Sequence, residues 1–198
     1  MKKQIASILL ILLAVSAFSE IAKMRFKITE SPEEFNINYI ETPDMTLIES
    51  KDNPDVTVTR VYKIKKGAEE GEIRYSLFTD TAADDSDAKM QAYVWTIMCT
   101  NNMAGYEFPV NKITPYADND VKGEFNGDYG FNALIQSPKS EYAEGYNYIY
   151  ADFFYKVGQG LVIRAFLFKD FSFVGVNEDG TVRPDSAMFT NYDSFKFY

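Results

Sequence analysis

Two neighbouring segments near the C-terminal end carry apolar side chains on both faces, and this limits the folds open to the chain. They run from Tyr146 to Val157 and from Gly160 to Phe168. Strands that are apolar on both faces must be covered twice, unlike the strands of an open one-sided sheet. A two-residue loop between them places Phe153 opposite Arg164. We therefore predict an α/β (α+β) layered sandwich with a mostly antiparallel sheet, and a closed barrel is the alternative.

One long helix is predicted between residues 85 and 104. Asp84, Asp85 and Asp87 supply oxygen atoms for its N-terminus, and Gly105 suits a left-handed C-cap. Two stripes of the helix are apolar at helical spacing. We assign the first stripe to the sheet: Met90, Tyr93, Val94, Ile97 and Asn101. The second consists of Ala88, Ala92, Trp95, Cys99 and Met103. Either another segment or a partner covers it, which makes Trp95 and Cys99 candidate interface residues.

Two further local patterns predict structure in the second half of the chain. Asn126 and Gly127 form a strong hairpin signal that joins Val121–Phe125 to Tyr129–Ile135. Residues 186–192 favour a short C-terminal helix, which precedes an extended end at residues 195–197.

The first 19 residues resemble a cleaved secretory signal. Lys2 and Lys3 precede an apolar run from Ile5 to Phe18, and small residues follow at the cleavage position. The run is shorter than the roughly 20 apolar residues that a membrane span needs, and an uncut anchor helix is the alternative. We predict a periplasmic or secreted single domain of residues 20–198. Removal of the two lysines takes the formal net charge from −9 to −11.

Composition excludes several classes of function. A chain with a formal net charge of −9 is a poor partner for nucleic acid or for anionic membranes, because the neutralisation of phosphates needs clustered Lys and Arg. Histidine is absent and Cys99 is the single cysteine, so Ser-His-Asp and Cys-His catalysis, zinc sites built from several Cys or His ligands and an intrachain disulfide are excluded. No glycine-rich phosphate loop occurs. We expect no cofactor, no metal and no catalytic residue.

The acidic residues leave two chemistries open. Asp152 is the best single candidate for carboxylate catalysis on a carbohydrate, because it lies on an otherwise apolar strand. The structural alternative is a salt bridge or hydrogen bond to Arg164, Lys169 or a loop amide. The segment from Asp118 through Asp120 to Glu124 resembles the first half of a calcium loop. Lys122 stands where an oxygen ligand belongs, so a weak extracellular calcium site and a solvated loop are both open.

Tyrosines are concentrated just before and within the first two-sided strand. The set consists of Tyr142, Tyr146, Tyr148 and Tyr150, with Asn147 among them. Tyrosine offers contact area and a hydroxyl group at low entropic cost, so this set is our candidate binding site for a sugar, a peptide or a flat ligand. Filling of the core is the alternative, because aromatic residues favour strands in any case.

Three segments together resemble the PsbP-like fold, which is shared by an extrinsic photosystem II subunit, a yeast Ran-binding nucleotide release factor and many secreted bacterial proteins. They are Phe35–Tyr39 followed by Pro43, the acidic-capped helix after the strand at residues 73–78, and the ending at residues 193–197. The resemblance implies the fold and an accessory or binding role, and it assigns no site residue.

These observations together predict an exported, soluble, non-enzymatic binding or accessory protein. Its partner is a protein or a small ligand. A carboxylate enzyme acting on carbohydrate and a weak calcium-binding protein are the alternatives.

Overall fold

The computed structural model describes residues 20–27, 34–53, 57–79, 87–176, 183–191 and 195–197. Its strands are β1 (Glu20–Lys27), β2 (Glu34–Glu41), β3 (Met45–Asn53), β4 (Thr57–Lys66), β5 (Glu69–Thr79), β6 (Thr114–Pro115), β7 (Tyr129–Gln136), β8 (Tyr148–Lys156), β9 (Gly160–Phe168) and β10 (Phe195–Phe197). The long helix is α1 (Ala88–Ala104). Short 3-10 turns are Val110–Lys112, Glu141–Ala143 and Phe189–Asn191, and Asp118–Asp120 is a helical turn. The predicted signal segment and the acidic residues Asp84 and Asp85 lie outside the described residues.

Among the described residues, seven strands form the large sheet in the order β3-β4-β5-β9-β8-β7-β6. Every neighbouring pair in it is antiparallel. The central strands β8 and β9 are the two segments that are apolar on both faces. The predicted sandwich of an antiparallel sheet with one long helix and a short C-terminal helix is therefore confirmed, and the last of these is the turn Phe189–Asn191.

The register of the β8–β9 hairpin differs by one residue from the prediction. β8 ends at Lys156 and β9 begins at Gly160, so the loop has three residues rather than two. Gly158 sits at its centre with φ of 73°, a left-handed conformation that glycine adopts without strain. Consequently Asp152, and not Phe153, lies opposite Arg164.

Both faces of the central strands β8 and β9 are covered, as their apolar pattern requires. We call the side against α1 the helix face and the other side the far face. The far face holds a cluster of large aromatic residues that includes Tyr62, Phe154 and Phe166, and Phe197 of β10 is buried in the same cluster. β10 pairs with β2, and β2 with β1. The three-stranded sheet thus reaches the far face through its last strand.

α1 meets the sheet mainly through small residues. The predicted sheet-facing stripe was right for Tyr93 and Ile97, which pack against the apolar layer, and wrong for Met90 and Val94. The buried residues of α1 are Ala88, Ala92, Thr96, Thr100, Met103 and Ala104. Met90 and Val94 are 65% and 45% exposed. The buried hydroxyl groups of Thr96 and Thr100 donate to the carbonyls four residues earlier, which satisfies them inside the apolar layer.

A row of alanines on the sheet explains this orientation of the helix. Ala133 of β7 lies opposite Ala151 of β8, which lies opposite Ala165 of β9. All three are buried on the helix face, and α1 contacts β7 and β8, the strands of Ala133 and Ala151. Small side chains on both partners let the helix approach the sheet closely, so close packing outweighs the size of Met90 and Val94.

The predicted strand at Val121–Phe125 was also wrong, because this segment is a π-helical turn. Val121 and Phe125, four residues apart, are both buried against the far face. Asn126 then ends the turn in the left-handed conformation with φ of 55°. β7 pairs instead with β8 and with the short strand β6.

Candidate functional site

The helix face is divided into a covered half and an open half. The line of residues that forms the alanine row continues across the next three strands, beyond α1. Arg74 of β5 lies opposite Ala165, Val61 of β4 lies opposite Arg74, and Glu49 of β3 lies opposite Val61. α1 lies over the alanine end of the row, whereas the other end holds the polar residues Arg74 and Glu49 on either side of the buried Val61. The sheet therefore presents a polar surface next to the edge of the helix.

A groove of about 260 Å³ lies in this open half. Its walls come from the three strands β3, β4 and β5 and from the 3-10 turn before β8. The lining residues are Ile48, Glu49, Thr59, Val61, Glu72, Arg74, Ser76 and Tyr142. A β-bulge between Leu47 and Glu49 shifts the register of β3 at this point, and bulges re-aim side chains in this way.

Arg74 ties the strand wall of the groove to the turn wall. Its Nε and Nη2 atoms donate to Oε2 of Glu72 at 3.0 and 2.6 Å. Its Nη1 atom donates to the Tyr142 carbonyl, and the guanidinium lies 4.6 Å from the centre of the Tyr142 ring. Both members of the ion pair are largely buried, so the network holds the turn in place.

Three hydroxyl and thiol groups beside this network are held in the protonated form. Burial raises the pKa of Tyr142 to about 12, an effect that the Arg74 guanidinium partly offsets. Burial and a hydrogen bond to Glu72 raise the pKa of Tyr146. Burial also raises the pKa of the Cys99 thiol to about 11. At neutral pH these three groups are uncharged, and Cys99 is a poor nucleophile.

The predicted tyrosine set is divided between the two faces of the sheet. Tyr142 and Tyr146 lie at the groove network, and Cys99 is close enough to Tyr142 to affect its pKa. Tyr148 and Tyr150 point to the far face, because side chains alternate along β8. The Asn147 amide donates to the Lys169 carbonyl at 2.8 Å and is exposed.

On the far face, the two other tyrosines belong to different aromatic groups. Tyr148 stacks on Phe168 and contacts Phe171, with ring centres 5.3 and 4.6 Å apart. The Tyr150 hydroxyl lies 3.1 Å from that of Tyr116.

The two candidate interface residues face the sheet. Trp95 and Cys99 are both partly buried in the apolar layer between α1 and the helix face. The Trp95 ring lies 6.2 Å from that of Phe78 on β5. Their role in an interface stays a prediction.

Asp152, the candidate for carboxylate catalysis, forms a buried ion pair. Its Oδ2 atom accepts hydrogen bonds from Nε and Nη2 of Arg164 at 3.0 and 2.8 Å. Its Oδ1 atom accepts one from the Tyr116 hydroxyl at 2.6 Å. Asp152 and Arg164 are fully buried, and the guanidinium lies over the rings of Phe125, Phe154 and Phe166. The structural alternative for Asp152 is therefore confirmed.

The acidic loop takes part in a helical turn. Asp118 and Asp120 lie in the turn and Glu124 in the π-helical turn after it. Asp118 accepts hydrogen bonds from Lys89 of α1 at 2.8 and 2.9 Å. In the described part of the chain, no three acidic or cysteine side chains are placed to hold a metal ion, so the calcium alternative gains no three-ligand site there.

Sequence reasoning missed the central residues of the groove. Glu72, Arg74 and Ser76 alternate along β5 with apolar residues that face the far side. That alternation indicates a strand with one polar face, and it was the available signal. Thr59 and Val61 join them through the pairing of β4 with β5.

Comparison with protein-family models gives no match, and neither the curated proteins nor the solved structures give a significant one. Among the described residues, no helix has the length and apolar character that crossing a membrane requires.

Proposed function

We propose that this chain is an exported, non-enzymatic binding protein whose ligand lies in the groove on the open half of the helix face. One observation carries the proposal. The groove is framed by the Arg74 network, which includes two of the five residues that the sequence pattern selects for binding, Tyr142 and Tyr146. The resemblance to the PsbP-like fold adds the expectation of an accessory role and stays a prediction.

Export rests on the first 19 residues. The mass of the protein purified from cells should correspond to a chain that begins at or within a few residues of Glu20. A full-length mass in the membrane fraction would contradict export and favour the uncut anchor.

Binding is favoured over catalysis by the state of the acidic residues. The buried Asp152 is held by Arg164. The two carboxylates that line the groove are also in ion pairs, Glu49 with Lys51 and Glu72 with Arg74, each at 2.6 Å. A glycosidase needs one carboxyl group that keeps its proton and a second that acts as base or nucleophile. Carboxylates paired with cations are poorly suited to the first role.

A ligand screen tests the proposal, with Trp95 as an intrinsic reporter because it is the single tryptophan. The panel contains neutral oligosaccharides, acidic oligosaccharides, short peptides and nucleosides. We expect one class to change Trp95 fluorescence and to raise Tm. Saturation at 100 times Kd stabilises the folded state by about 2.7 kcal/mol, which corresponds to roughly 5 to 10 °C for a domain of this size.

Two variants locate the binding site. Ser76→Phe fills the groove and should abolish the response. Thr114→Phe places the same side chain on β6, at the opposite edge of the sheet, and should leave it unchanged. A panel without any binding class, or equal binding by Ser76→Phe, would contradict the proposal. Chemical conversion of a bound compound would show that the protein is an enzyme, and it would contradict the non-enzymatic role.

A further inference from the structure

We infer that the ligand of the groove is a neutral carbohydrate chain, of which one sugar unit occupies the groove; this inference rests on the proposed function. The charges in the groove favour a neutral ligand. Three charged side chains line the groove, Glu49, Glu72 and Arg74, and each has an ion-pair partner. A charged ligand would have to compete with a pair that already exists, whereas a neutral polar ligand adds hydrogen bonds to it.

Two side-chain hydroxyl groups in the groove suit a ligand that carries hydroxyl groups itself. Thr59 and Ser76 lie directly opposite each other on β4 and β5, and both line the groove. Among the described residues, neither side-chain hydroxyl has a hydrogen-bond partner. A hydroxyl group both donates and accepts. Paired hydroxyls next to carboxylate oxygens match the alternating donors and acceptors on the edge of a sugar ring.

Apolar residues line the groove beside these polar groups. Val61 forms part of the floor and is 6% exposed, and Ile48 at the bulge is 54% exposed. Tyr142 of the 3-10 turn also lines the groove. A sugar ring has apolar C–H faces and polar edges, so it uses both kinds of surface at once.

Size indicates one unit of a longer ligand. The groove of about 260 Å³ is smaller than the roughly 300–1,000 Å³ of sites that hold a whole drug-sized ligand. It lies beside β3, an edge strand of the large sheet, so neighbouring units of a chain can continue past that edge.

The same edge disfavours an extended peptide. A peptide that adds to a sheet needs a regular row of free backbone groups. β3 has a bulge between Leu47 and Glu49, and it carries the exposed pair Glu49 and Lys51. Bulges and charged side chains are features that protect sheet edges from strand addition.

Calorimetric titration tests the ligand class with four neutral tetrasaccharides: cellotetraose, maltotetraose, xylotetraose and chitotetraose. Tetragalacturonate and tetra-alanine serve as the charged and peptide comparators. We expect at least one neutral tetrasaccharide to bind more tightly than both comparators. The double variant Thr59→Val/Ser76→Ala should weaken that binding about tenfold, because two hydrogen bonds to neutral groups are lost.

Thr114→Val is the matched control, because it removes an exposed hydroxyl from β6 at the other edge of the sheet. It should bind as the unchanged protein does. Tighter binding of tetragalacturonate or tetra-alanine at the groove would overturn the ligand class while the proposed function stands. Binding that survives the double variant would overturn the role of the hydroxyl groups. Failure of the whole ligand screen would overturn the proposed function itself.

Discussion

Asp152→Ala should lower the free energy of unfolding by about 3–5 kcal/mol, the loss typical of breaking a buried ion pair. The substitution leaves the Arg164 guanidinium without its carboxylate among three aromatic rings, where water does not reach it. It also removes the acceptor of the Tyr116 hydroxyl. Urea denaturation followed by fluorescence measures the change.

A double variant separates the effect of leaving one charge unpaired from the cost of burying both charges. Asp152→Leu/Arg164→Met replaces both charges by apolar side chains, and it should recover most of the lost stability, because the desolvation penalty is removed from both sides. A loss below about 1 kcal/mol in the single variant would show that water reaches Arg164, and it would contradict the buried pair.

Ala151→Leu should lower the free energy of unfolding by about 2–3 kcal/mol, near the upper end of what overpacking costs in a core. Ala151 is the middle residue of the alanine row and is fully buried between the sheet and α1. The larger side chain pushes the helix away from the sheet. Thermal denaturation should show a Tm lower by roughly 4 to 12 °C.

Met98→Leu is the control on the same helix. Met98 is 61% exposed, so this exchange should change stability by less than about 0.5 kcal/mol. If Ala151→Leu were equally mild, α1 would not rest on the alanine row. If Met98→Leu were as damaging as Ala151→Leu, the outward orientation of that side of α1 would be wrong.

Local patterns in the sequence predicted the elements of the fold better than their contacts. The central strands follow from apolar residues on both faces of residues 146–168, and the end of α1 follows from Gly105, whose amide donates to the Asn101 carbonyl. The orientation of α1 did not follow, because a periodicity argument weights Met90 and Val94 by their hydrophobicity. What decides the orientation is the alanine row, whose three members come from three different strands.

The candidate site was predictable in part for the same reason. Tyr142 and Tyr146 stand out in the sequence because tyrosines are concentrated there. Arg74 does not stand out, because its role depends on its register with Val61 and Ala165 and on a turn 68 residues further along the chain. Such long-range pairing is absent from any local pattern. The predicted grouping of five residues failed for Tyr148 and Tyr150, because alternation along β8 sends them to the far face.

The Asp152–Arg164 pair also disfavours a one-residue slip in the register of the β8–β9 hairpin. A loop shortened by one residue would pair Asp152 with Ala165 and Phe153 with Arg164, so the two charges would point into opposite apolar layers. A one-residue slip exchanges the faces of a strand, and apolar residues on both faces of these strands would otherwise tolerate that exchange. The two charges make the slipped register unfavourable. The slipped hairpin would bury two unpaired ions, whereas the native hairpin buries the same two groups as an ion pair.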